Sequence, residues 1–199
     1  MPVNLIAHDT RLEGRTPSAS RETFTIQVDD TVALDTFFDQ AVNIALVNVG
    51  INRLSIMAHG LYVRDMDTTA IQFCSELISF QTVGYFARLR GLVDHIILYV
   101  CHAAETEMTS RSEGDQLCRQ IAILANAEVT AARERQLYTS TEVCHFFVDC
   151  DTTPIEFGDW EGEVVHYGRD GMVLAEYPEI PAPADPAPTH PDPRFTMRR

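Results

Sequence analysis

Long apolar runs are missing from this chain. No segment approaches the roughly 18 consecutive apolar residues that a membrane-spanning helix needs, so no membrane partner is expected. Basic residues are scarce too: 15 Lys and Arg stand against 29 Asp and Glu, for a net charge of −14. Nucleic acid and anionic lipid both require a basic footprint, so nucleic acid is not expected either, and the acidic excess serves solubility. The start, Met1-Pro2-Val3-Asn4, lacks the basic region and apolar stretch of a secretory signal. The five cysteines, Cys74, Cys101, Cys118, Cys144 and Cys150, are an odd number without the compact spacing of a disulfide framework. Reduced thiols in a cytoplasmic protein, or in an effector exported without such a signal, are the expectation. No Walker loop, GxGxxG or internal repeat is present, and no carboxylate pair suggests glycosidase chemistry. No cofactor is expected.

What is present suits one α/β domain. The chain has 199 residues, 45% of them hydrophobic, enough for a substantial core. Residues 3–8 and 23–28 read as strands around a polar loop at 9–22. A broad helical stripe runs from Val32 to Val49, with Asp29, Asp30 or Thr31 to cap it and Gly50 to end it. Buried strands follow at Ile51–Ala58 and His95–Val100, the second almost wholly apolar, as in a strand covered on both faces. Between them, Thr68–Phe73 reads as a short strand or loop and Ser75–Leu92 as helical, with Gly84 allowing two short helices. Residues 115–126 form another helix, and Glu128–Ala132 and Phe146–Cys150 further strands. Asp170-Gly171 between Glu163–Tyr167 and Met172–Glu176 marks a hairpin.

The expected fold is therefore α/β: a mostly parallel central sheet flanked by helices, closed by a C-terminal β-hairpin. The domain spans residues 1–177. Residues 178–199, with seven prolines, form a disordered Pro-rich tail that can bind a protein partner.

Two of the apolar strands end in reactive side chains. Leu54-Ser55-Ile56-Met57-Ala58-His59-Gly60 delivers a histidine, and His95 to Val100 delivers Cys101, followed by His102, Ala103 and Ala104. Parallel sheets place their chemistry at strand ends. Acyl transfer by cysteine needs a base for the thiol, and imidazole titrates in the right range. It also needs donors for the oxyanion. Gly60 lets a backbone N–H approach substrate closely, the Cys101 amide is a second candidate, and the small Ala103 and Ala104 leave room at the mouth. A cysteine in an apolar strand is equally at home as inert core, and a strand-end histidine as a surface residue.

An apolar strand ending in His-Gly, followed about forty residues later by one ending in Cys, resembles the caspase-like (clan CD) cysteine peptidases. The wording is closest to the bacterial caspase-like domains associated with tetratricopeptide repeats and to relatives with "SHG" and "LYGC" strand ends. Here these stand as Met57-Ala58-His59-Gly60 and Leu98-Tyr99-Val100-Cys101. Gly114-Asp115-Gln116-Leu117, Glu128–Ala132 and Asp159-Trp160-Glu161 resemble the group's later segments. The resemblance covers residues 51–165. It implies a caspase-like fold, His59 as base, Cys101 as nucleophile, the Gly60 amide in the oxyanion hole, and cleavage of a protein substrate after one preferred side chain.

The specificity pocket stays open. Asp65 or Asp67 would suit a basic side chain, Arg133 an acidic one. A zinc site from Cys101-His102 and Cys144-His145 is disfavoured, because adjacent strand residues point to opposite faces, and no metal is expected. Cys74, Cys118 and Cys150 read as packing residues, as does Trp160. His95 reads as a surface residue at a strand start and His166 as cross-strand packing. The function expected is a caspase-like cysteine endopeptidase using a His59/Cys101 dyad. The alternatives are an inactive caspase-like module for binding or assembly, and a structural or carrier protein.

Overall fold

The computed structural model describes residues 1–63, 68–104, 113–144 and 150–177. The Pro-rich tail, Asp65, Asp67, His145 and most of the strand expected at 146–150 lie outside them. Strands β1 (Val3–Asp9) and β2 (Thr23–Val28) come first, then helix α1 (Leu34–Val47) and strand β3 (Ile51–Met57). Strands β4 (His59–Val63), β5 (Thr68–Phe73) and β6 (Glu76–Ile78) lead into a 3-10 helix at Val83–Leu89 and strand β7 (Val93–Tyr99). Helix α2 (Glu113–Ala125) and strand β8 (Glu128–Ala132) follow. Short strands β9 (Tyr138–Thr139), β10 (Glu142–Cys144), β11 (Cys150–Thr152) and β12 (Glu156–Phe157) precede a hairpin of β13 (Val164–Tyr167) and β14 (Val173–Tyr177).

Seven strands form the central sheet in the order β14-β13-β8-β7-β3-β1-β2. The five from β2 to β8 are parallel; β13 and β14 are antiparallel to their neighbours. Alternation along each strand divides the apolar residues between two faces. Leu5, Ala7, Leu54, Ile56, Ile96, Leu98, Val129 and Ala131 meet α1, the 3-10 helix and α2 in the main core. Phe37, Phe38, Phe73 and Phe86 interlock there edge to face, with centroids 4.8 to 5.1 Å apart. Ile6, Met57, Ile97, Tyr99 and Ala132 face the other way, onto Leu12, Ile155 and Trp160. Among the described residues no helix contributes to this second core. Among the described residues the helices gather on one face, where helices on both faces were expected.

Ser75–Leu92 is not the expected helix. A strand, a turn and a 3-10 helix occupy it instead. Thr82 is the reason: its Oγ1 accepts from the Ser79 amide at 3.0 Å and donates to the Leu77 carbonyl at 2.5 Å, giving the backbone a local alternative to helix. The α1 cap also differs. Asp29 Oδ1 accepts from the Thr31 amide and hydroxyl at 2.8 and 2.6 Å, closing a turn ahead of the helix. Helix α1 begins at Leu34, after Ala33, which has no capping side chain. The Leu34 amide donates instead to Glu76 Oε2 at 2.8 Å. The hairpin marked by Asp170-Gly171 is present, with Gly171 at φ 77°.

The far end of α1 carries strain. Gly50 N donates to the Ala45 carbonyl at 2.7 Å, closing the helix in a six-residue turn whose left-handed position is Val49, at φ 63°. Glycine is the usual occupant of such a position, and a β-branched residue there costs on the order of 1–2 kcal/mol. Val49 is 81% exposed, so little packing is lost on its removal. Val49→Gly is therefore expected to raise stability by about 1 kcal/mol, read as a higher midpoint of urea unfolding.

Candidate active site

The carboxyl edge of the sheet collects the reactive groups. The chain passes from β1 out to β2 and returns to lay β3 on the other side of β1. That reversal opens a crevice beyond the ends of β1 and β3, where α/β folds bind their ligands. His59 follows β3, Cys101 follows β7, and Arg11 follows β1. His59 and Cys101 line one pocket of about 210 Å³. Its wall beyond the end of β8 is Arg135, Gln136, Leu137 and Tyr138; Leu12 and Phe157 complete the apolar side.

His59 Nε2 lies 3.1 Å from the carbonyl oxygen of Arg11. A carbonyl only accepts, so Nε2 carries the hydrogen and Nδ1 of the neutral ring keeps its lone pair. The Arg11 backbone is held in turn. Asp9, 1% exposed, accepts from the Arg11 amide at 3.1 Å, from its Nε at 2.8 Å and from an Nη at 2.5 Å. Asp9 Oδ2, which holds the Arg11 Nη, also accepts from the Cys74 amide at 3.1 Å, and the Arg11 guanidinium donates to the Cys74 carbonyl at 2.7 Å. Beneath this loop the buried His8 ring contacts the Leu12 carbonyl at 2.9 Å and the Thr16 hydroxyl at 2.7 Å. Burial holds the His8 pKa below its usual value, which keeps the ring neutral.

Gly60 sits against the backbone of Cys101. A Cβ at position 60 would come 1.9 Å from the Cys101 carbonyl oxygen, so only glycine lets β4 pass there. The Cys101 thiol is partly exposed and lies 3.5 Å from the Gln136 carbonyl oxygen. The Gln136 side chain is committed elsewhere, donating to the Glu161 carbonyl at 2.9 Å. His102 adopts φ 55°, which turns its ring onto the Arg133 carbonyl at 3.2 Å. Cys74 and Cys118 are buried. Burial pushes the Cys74 thiol up to about 12 and raises that of Cys118 as well, so both stay protonated.

Several expected placements change. Ala103 and Ala104 lie in the main core rather than at a mouth. Arg133 does not line the pocket; it ion-pairs with Glu163 at 3.2 Å and Glu176 at 2.6 Å. Among the described residues no group of three or more His, Cys, Asp or Glu is arranged to hold a metal. Sequence reasoning passed over Arg11, because a backbone carbonyl has no residue signature, and over the wall from Arg135 to Tyr138. The apolar pair Leu137-Tyr138 just beyond a strand end was the available signal.

His95 is a half-buried member of β7, not a surface residue at a strand start. Its Nε2 meets the Thr130 hydroxyl at 2.8 Å, and Thr130 meets His166 Nδ1 at 2.9 Å. This chain crosses three strands at the end of the sheet away from Cys101. Burial, then the charge of His166, lowers the His95 pKa to about 4.

Two outcomes follow from these placements. Gly60→Ala should destabilise the protein by about 1–3 kcal/mol, seen as a lower unfolding midpoint, because its methyl meets backbone rather than a yielding side chain. Below its unfolded pKa of 6.5 the His95 ring takes a proton in the unfolded chain that the folded chain refuses down to about 4. Stability should thus fall on the order of 2 kcal/mol as pH drops through that window, and His95→Gln should flatten the urea-midpoint profile between pH 7 and 4.5. Comparison with known proteins returned no matching family model, no matching curated protein and no matching solved structure.

Proposed function

We propose that this chain is a cysteine endopeptidase of caspase-like fold, cleaving protein substrates with Cys101 as nucleophile and His59 as base. The observation that supports this reading is a shared pocket: two strand ends bring the thiol and the imidazole to one wall-to-wall space at the carboxyl edge of the sheet, with His59 Nε2 held on the Arg11 carbonyl. The arrangement leaves Nδ1 as the basic nitrogen.

In this mechanism His59 Nδ1 takes the thiol proton as Cys101 Sγ attacks the carbonyl carbon of the scissile peptide. A C–S bond forms and the carbonyl electron pair moves onto oxygen, where the amides of Gly60 and Cys101 are the proposed donors. The pair returns, the C–N bond breaks, and His59 gives its proton to the departing amine. Water, deprotonated by the same ring, then hydrolyses the thioester and frees Cys101. The Arg11 carbonyl stabilises the imidazolium that forms in between. The Pro-rich tail offers a protein partner a place to bind, in keeping with a protein that works in the cytoplasm or as an exported effector.

An unactivated thiol is only a few per cent thiolate at pH 7, so a functional dyad has room to raise its alkylation rate about tenfold. Iodoacetamide should label Cys101 well ahead of Cys74 and Cys118 near pH 7, by site-resolved mass spectrometry. His59→Ala should slow Cys101 labelling about tenfold. Labelling indifferent to His59 would sink the peptidase and favour a binding or assembly module built on the same fold.

A further inference from the structure

We infer that the residue on the acyl side of the bond cut is apolar, Phe or Leu rather than Arg or Asp, with its side chain seated in the pocket lined by Tyr99, Phe157, Tyr138 and Leu137. The inference rests on the peptidase reading and names the substrate class of the same site. Tyr99 ends β7 two residues before Cys101, so whatever it touches is next to the reacting thiol. Its ring is fixed on both sides, stacked on Phe157 at 4.7 Å and on Trp160 at 5.1 Å. Tyr138 leans on Phe157 at 5.8 Å. Leu12, 3% exposed, and Ala58, 2% exposed, back the wall from the ends of the first and third strands. Leu137 projects at 56% exposure, a large aliphatic side chain left in water at the edge of the same pocket. An apolar side chain of the substrate laid against it would take that area out of water.

Size and charge narrow the occupant. A space of about 210 Å³ is below the roughly 300–1,000 Å³ of drug-sized sites and suits one side chain. Among the described residues no carboxylate lines it, so a basic side chain would be desolvated there without a partner. The nearby Glu161 carboxylate is already accepting from the Leu137 amide at 2.9 Å. Arg133 is neutralised by Glu163 and Glu176, which leaves Arg135 as the lining cation among the described residues. It is exposed, where water weakens its hold on an anion. Aromatic walls with no buried counter-charge among the described residues reward an apolar side chain and penalise an ionised one.

The test uses the full-length chain and a series of Ac-Ala-Ala-X acyloxymethyl ketones with X = Phe, Leu, Arg or Asp, following alkylation of Cys101 by mass spectrometry. Phe or Leu should react at least about tenfold faster than Arg or Asp. Leu137→Asp, at an exposed position that folding tolerates, should narrow the Phe-to-Arg ratio at least about threefold by adding the missing carboxylate. Arg reacting as fast as Phe overturns the inference. Asp reacting fastest also overturns it and assigns recognition to Arg135. No reaction with any ketone while iodoacetamide still labels Cys101 overturns it as well, since the pocket then takes no side chain. The iodoacetamide rate and its dependence on His59 report on the dyad alone. Loss of that dependence with the Phe preference intact removes the peptidase and leaves the pocket.

Discussion

The buried carboxylate of Asp9 holds the site together. It ends β1 and gathers the backbone and guanidinium of Arg11 on one side and the Cys74 amide on the other. A carboxylate this deep persists only when its lone pairs are met, and removing one partner of such a pair typically costs about 3–5 kcal/mol. Through Arg11 it sets the carbonyl on which His59 rests, and through Cys74 it fastens the small β4-β5-β6 sheet to the end of the large one. The orientation of the imidazole is thus decided by a residue that does not touch it.

This arrangement explains why the site is built on two kinds of structure. The thiol follows β7, an interior strand of the sheet flanked by β3 and β8. The histidine arrives on the first residue of β4, which belongs to a separate antiparallel sheet. The close passage of Gly60 over the Cys101 carbonyl joins the two. Glycine's missing Cβ there serves proximity rather than a turn, and backbone meets backbone where a side chain would have forced β4 away from Cys101.

Parts of this were legible in the residues. The carboxyl halves of β3 and β7, Leu54–Met57 and Ile96–Tyr99, are buried on both faces, and their apolar residues stand out, with Ser55 the one polar interruption. Strand β8 occupies Glu128–Ala132 as the pattern requires, and Asp170-Gly171 makes its hairpin because the turn chemistry is local. What escaped was non-local. Strand β4 begins on a histidine and a glycine, which carry no strand signal until β5 is beside them. The segment from Ser79 to Leu89 has helical spacing, but Thr82 closes a turn that spacing cannot reveal. The pocket wall from Arg135 to Tyr138 has no periodicity, and its role comes from lying past the end of β8. Of the site, the two reactive side chains could be picked out from their strand ends; the carbonyl, the carboxylate beneath it and the aromatic wall could not.

Glu76 as the partner of the Leu34 amide has a consequence for how the chain assembles. The cap reaches α1 from 42 positions downstream, after β3, β4 and β5 have been laid down. Short helices are marginal on their own, and this one lacks a side-chain cap of its own. Its first turn therefore gains that bond only once the second sheet has docked, which couples a local element to a high-contact-order event. That bond ties the first turn of helix α1 to the β5–β6 turn, so amide exchange at Leu34 is sensitive to the docking of a strand as well as to the fraying of a helix.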